Sequence, residues 1–171
     1  MTAPRVVALI SRMKAKPKAE SAREAVAVRV ATDGDVPSLL DMMTAFNAAE
    51  AIAWSRAEGE SALRRLLADV SLGVVGLIVE GAETRGYFVL TWGFDLEWGG
   101  RDAWLTELYL RDEARGAGIG APALAQVEAS AREHGARALH LMVRPENARA
   151  VRLYERAGFA APPRVCLSKR L

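Results

Sequence analysis

From Val26 onward, short β-branched runs alternate with longer segments whose apolar residues recur every three or four positions. VAVRV (26–30) predicts a strand, and Asp35 offers an N-cap to a helix with Leu39, Leu40, Met43 and Phe46 at helical spacing. Leu63, Leu66, Leu67 and Val70 stand at i, i+3, i+4 and i+7 and predict a second helix closed by Gly73, with a loop over 49–60 between the two. VVGLIVE (74–80) and GYFVLTW (86–92), separated by EGAETR, predict a hairpin, and AWLTELYL (103–110) follows as another strand. Leu124, Val127 and Ala131 mark the buried stripe of a helix that stops at Gly135. ALHLMV (138–143) predicts a strand, a last helix runs from near Asn147 to Gly158, and RVCLSKRL predicts a closing strand. The order β-α-α-β-β-β-α-β-α-β combines hairpins with a crossover, so the expected class is α/β (α+β), a mixed sheet flanked by helices.

The 171 residues suffice for one domain with a hydrophobic core, expected over 26–171. Residues 1–25 carry Arg5, Arg12, Lys14, Lys16, Lys18 and Arg23 against Glu20 and Glu24, which leaves the remaining 146 residues with 17 basic and 19 acidic groups. That slightly acidic body lacks the positive footprint of a nucleic-acid binder. The basic N-terminal extension is expected to be flexible or to follow from a misassigned start. Its apolar run, Val6 to Ile10, is too short and too early for a secretory signal, although the Arg, Lys and Ser content loosely resembles an organelle-targeting peptide. A single cysteine, Cys166, permits no internal disulfide and predicts a reducing, cytoplasmic setting; its place in an alternating segment favours a small apolar residue over a nucleophile. No metal-ligand cluster and no run of 18 apolar residues is present, so neither a metal nor a membrane span is expected.

Between the strand ending at Leu110 and the next helix, RDEARGAGIGAPAL places Gly116, Gly118 and Gly120 within five positions. Such a turn leaves backbone N–H groups pointing outward without side chains to keep an anion away, and the helix dipole adds to the attraction. Pro122 fits the first helical turn, where its missing N–H is not needed. A ligand-free tight turn is the alternative. No GK[ST] follows, which excludes a Walker loop. Gly116-x-Gly118-x-x-Ala121 matches a dinucleotide fingerprint on paper, but Arg144 stands where its acidic residue belongs and too little chain remains for a doubly wound sheet.

The remaining pattern, R-x-x-G-x-G from Arg115, Gly118 and Gly120, resembles the GCN5-related N-acetyltransferase (GNAT) superfamily. The likeness extends over RVATDGDVPSLL, TELYLRDEARGAGIG and VRPENARAVRLYERAGF. The resemblance implies a mostly antiparallel sheet of six to seven strands with four helices, and acetyl-coenzyme A as co-substrate. It further implies that residues Arg115, Gly116, Ala117, Gly118, Ile119 and Gly120 hold the pyrophosphate. Leu108, Tyr109 and Leu110 would then line the pantetheine arm, with main-chain groups of Leu108 and Leu110 pairing with it almost as an added strand. Asn147 and Tyr154 are seven apart, nearly two helical turns, and so share a helix face. In matching members the Asn contacts the cofactor and the Tyr lies near the thioester sulfur, as a general acid. Taken singly, a helix cap and a core tyrosine are the alternatives.

An acceptor amine must lose a proton before attack, and Glu107 is the candidate base: a polar residue interrupting an otherwise buried strand, whose carboxyl burial would raise. A solvent-facing glutamate is the alternative. His134 and His140 read as structural, and Trp54, Trp92, Trp98 and Trp104 mostly as core, with Trp54 in the segment that often forms the acceptor side in this superfamily. Glu50, Glu58, Asp95 and Glu97 either attract a cationic amine or are solvated charges. The expected activity is acetyl transfer to a primary amine, on a small molecule first, in a ternary complex. A protein lysine or N-terminal acetyltransferase and a non-catalytic acyl-CoA sensor remain open, as does a homodimer.

Overall fold

The computed structural model describes residues 25–169; the expected N-terminal extension lies, but for Ala25, outside the described residues. The elements run β1 (Val26–Val30), α1 (Val36–Ala49), α2 (Arg56–Ala68), β2 (Gly73–Glu80), β3 (Glu83–Asp95), β4 (Gly100–Leu110), α3 (Gly120–Glu133), β5 (Leu139–Leu141) and α4 (Ala148–Arg156). The strands lie in sequence order, antiparallel except for the parallel pair β4–β5, which confirms a mixed, mostly antiparallel sheet with four helices. β2 and the middle of β3 read as continuous apolar runs because both faces of the sheet are covered. Val75 and Leu77 with Tyr87 and Val89 pack under α1 and α2 through Leu39, Leu40, Met43 and Leu63. Val74 and Ile78 with Phe88 and Leu90 pack under α3 through Ala123, Leu124, Val127 and Ala131. Side chains this deeply buried contribute about 1.5–3 kcal/mol each where large. Gly76 serves this packing, since a Cβ there would lie 2.2 Å from the Phe88 ring.

Asp35 begins α1 by a route the cap expectation did not contain. A short 3₁₀ turn (Asp33–Asp35) precedes the helix, and the Asp35 carboxylate reaches back to accept from Thr32 N (2.8 Å) and Thr32 Oγ1 (2.9 Å). Arg29 Nη2 lies 2.6 Å from its other oxygen, and this guanidinium, with Thr32, holds the carboxyl well below the usual carboxylate range.

Three expectations are corrected. The sheet has five strands among the described residues rather than six to seven, because 164–169 form no strand. Pro162 and Pro163 precede the segment, Arg164 pairs with Glu97 at 2.8 Å, and Val165 and Leu167 are exposed. α2 ends at Ala68, so Val70 leaves its stripe and is exposed. Trp54 and Trp92 do pack against the cores, whereas Trp98 and Trp104 are half-exposed beside His140.

Candidate active site

The last half of β4 creates the opening on which the site is built. β5 follows β4 from Arg101, whose carbonyl accepts from Arg137 N (2.8 Å), only as far as the Leu105–Leu141 pair. There the register with β3 slips: Leu90 faces Leu105 while Val89 faces Glu107, which makes Thr106 the extra residue of a β-bulge. Its hydroxyl donates to Val89 O (3.3 Å). Beyond the bulge, residues 106–110 keep β3 on one side and have no strand on the other among the described residues. Free main-chain donors and acceptors along such an edge suit an extended amide-bearing chain. Leu108 and Leu110 point their side chains into the α3 core, and Tyr109 into the α1 core.

The glycine loop stands at the mouth of this opening. Gly116 (φ +84) and Gly118 (φ +83) lie in the left-handed region, where a side chain is strained, and a Cβ at Gly118 would meet nothing within 4 Å. The loop, with Ala117 and Ile119, leads directly into α3 at Gly120. In the first turn Ala123 N donates to Ile119 O (3.0 Å) and Pro122 has no N–H, so the Gly120 and Ala121 amides are the donors the helix itself does not use. The open surface over Gly118 and these amides fit a phosphate-bearing ligand. Arg115 braces the loop: Nε donates to Leu110 O (2.9 Å), Nη1 meets Asp112 (2.8 Å), and the guanidinium carbon lies 5.3 Å from the Tyr109 ring centroid.

Glu107 is half-buried, and Tyr87, fully buried on β3, donates its hydroxyl to Glu107 Oε2. Burial pushes the Glu107 carboxyl above the usual range, and the Tyr87 hydrogen bond pulls it part of the way back. The same desolvation and the adjacent carboxylate drive the Tyr87 phenol far above its ordinary value. Tyr87 gave no local signal in the sequence; only the hairpin register brings a residue 20 positions away onto Glu107.

Tyr154 lies on the other side of the sheet. Its ring packs edge-on to Phe159 (5.7 Å) against the α3 core, and burial, then the charge of Glu50 at the end of α1, push its hydroxyl up to about 12. Glu50 therefore acts on Tyr154 although α1 covers the opposite sheet face. Asn147, one face with Tyr154, caps α4 by accepting from Ala150 N (3.2 Å), which leaves its side-chain NH2 for a ligand. Glu107 thus belongs to the α1 side of the sheet, with Tyr87, and Tyr154 to the α3 side.

His134 Nδ1 lies 2.8 Å from Ser130 O at the end of α3 and stacks on Trp92, a structural role. His140 lies 3.5 Å from the buried Asp102. Cys166 is exposed, outside any strand. Among the described residues no group of three or more His, Cys, Asp or Glu is placed to hold a metal ion, and no helix is long and apolar enough to cross a membrane.

Solved structures with a similar fold are known. An integron cassette protein, HFX_CASS3, from the mobile metagenome of Cole Harbour Salt Marsh is 37% identical, with a TM-score of 0.74 over 84% of this chain and 90% of that one. A predicted acetyltransferase of Clostridium acetobutylicum, solved with acetyl-CoA, is 18% identical with a TM-score of 0.69 over 84% of this chain and 96% of that one. An aminoglycoside 6'-N-acetyltransferase of Acinetobacter haemolyticus is 15% identical with a TM-score of 0.67 over 85% and 99%. No match is found among curated protein sequences. A sequence model of the GNAT acetyltransferase family matches residues 39–159, which takes in α1 through α4 with the loop and the opening, and the chain belongs to that family of acetyl-CoA-dependent acyltransferases.

Proposed function

We propose that the protein transfers an acetyl group from acetyl-CoA to a primary amine on a small molecule, by direct attack within a ternary complex. The carrying observation is the unpaired β4 edge beyond Thr106, which bears Glu107 and runs into the glycine loop, with Tyr154 on the opposite sheet face. The phosphates rest on the loop amides, the pantetheine arm runs along 106–110, and Asn147 donates to it. The amine enters from the α1 face, where Glu107 takes its proton directly or through water. The amine nitrogen then bonds to the thioester carbonyl carbon, the carbon–sulfur bond breaks, and Tyr154, protonated at neutral pH, gives its proton to the departing thiolate. Glu50 and Glu107 near the opening and the acidic body favour a cationic, small acceptor over a peptide. A cytoplasmic setting accords with acetyl-CoA supply. Thiol release from acetyl-CoA, measured with polyamines, aminoglycosides and lysine peptides, tests this. Turnover with small amines is expected; turnover confined to peptides, or to none, contradicts it.

A further inference from the structure

We infer that Arg149, a residue outside the glycine motif, supplies the positive charge that holds the coenzyme's diphosphate, while the motif arginine, Arg115, serves the fold. The inference rests on the proposed placement of acetyl-CoA. Arg115 has Nε and Nη1 engaged by Leu110 O and Asp112 and its guanidinium set against the Tyr109 ring, so its charge is already matched by a carboxylate. A diphosphate set on neutral main-chain amides alone would lack a counter-charge.

Arg149 is placed to provide one. One of its Nη atoms lies 3.7 Å from where a Cβ on Gly116 would stand, so the guanidinium hangs directly over the left-handed glycine that opens the loop. It is exposed, and among the described residues it makes no ion pair or hydrogen bond. Its position explains why it needs a ligand: it sits in the first turn of α4, where the helix dipole disfavours a cation and an anion relieves the cost. Arg144, before the helix, pairs with Glu146 at 3.7 Å, and Arg156, two turns further along α4, lines the groove between α3 and α4. α4 is held at this distance by Leu153, whose Cδ2 lies 3.4 Å from a Cβ position on Gly120. One helix therefore delivers Arg149 to the phosphates and Tyr154 to the sulfur.

The test is calorimetric titration of CoA, 3'-dephospho-CoA and pantetheine into the wild-type protein and Arg149→Ala. CoA and dephospho-CoA should weaken by the same factor, roughly tenfold to a hundredfold, as expected for a lost charge-assisted hydrogen bond. Pantetheine affinity should not change, and the slope of CoA affinity against salt should become shallower. Arg149→Lys should recover part of the loss. Unchanged CoA affinity in Arg149→Ala overturns the inference, as does an equal loss with pantetheine. A loss confined to CoA and absent with dephospho-CoA also overturns it, by moving the guanidinium to the 3'-phosphate. Wild-type protein that binds no CoA contradicts the placement of the coenzyme itself, a different failure.

Discussion

Tyr87 donates a hydrogen bond from β3 to the Glu107 carboxylate on β4, and that bond opposes the burial which raises the Glu107 pKa. Two adjacent strands thus set the charge of the residue proposed to accept the amine's proton. Tyr87→Phe removes only the opposing influence. The acid limb of the kcat/KM profile should then move to higher pH, because Glu107 stays protonated longer as pH rises. A limb that stays in place, or moves to lower pH, contradicts the assignment.

Glu107→Gln separates stability from activity. A carboxyl whose folded pKa lies above its unfolded value favours the folded state most below the unfolded pKa, and that advantage is lost as pH rises through the folded value. Above the folded value the wild-type protein bears a half-buried charge that glutamine removes, while the amide oxygen still accepts from Tyr87. The variant should melt no lower than wild type at pH 7 and lose about 10²–10⁴-fold in kcat, the range of a general base. Thermal melts at pH 5 and pH 7 check the first part, since the variant's relative advantage should grow with pH.

Tyr154→Phe keeps the ring against Phe159 and deletes the hydroxyl. Acetyl-CoA affinity should change little, and kcat should fall by about 10²-fold or more. The loss should shrink when the leaving thiol is more acidic than CoA, as with an activated aryl thioester. Equal loss with both donors would make the hydroxyl a structural group.

Gly118→Ala tests the loop. A Cβ there meets no atom of the protein, but φ +83 strains any side chain. The variant should fold with a loss of about 1–2 kcal/mol in denaturant unfolding, and its methyl should occupy ground claimed by the diphosphate. CoA binding should weaken while the Glu107 pH limb stays unchanged.

The hairpin, the α3 stripe and the glycine loop were legible in the sequence because each depends on local chemistry: alternating apolar residues, helical spacing, and glycines that permit positive φ. Glu107 was legible as a polar break in a buried strand. Tyr87 and Arg149 were not, since the first meets Glu107 only through hairpin register and the second meets Gly116 only through the docking of α4. The final segment shows the limit of periodicity: RVCLSKRL alternates as a strand would, yet residues 164–169 form no strand and Arg164 pairs with Glu97. The short β5 has the same origin, because the Thr106 bulge that ends its pairing has no mark in composition.

A crystal structure with acetyl-CoA tests the account most directly. It should show phosphate oxygens within hydrogen-bond distance of the 116–121 amides, the pantetheine arm paired to main-chain atoms between Thr106 and Leu110, and the thioester sulfur beside the Tyr154 hydroxyl. Coenzyme density on any other surface, or a thioester facing away from both Tyr154 and Glu107, would contradict it.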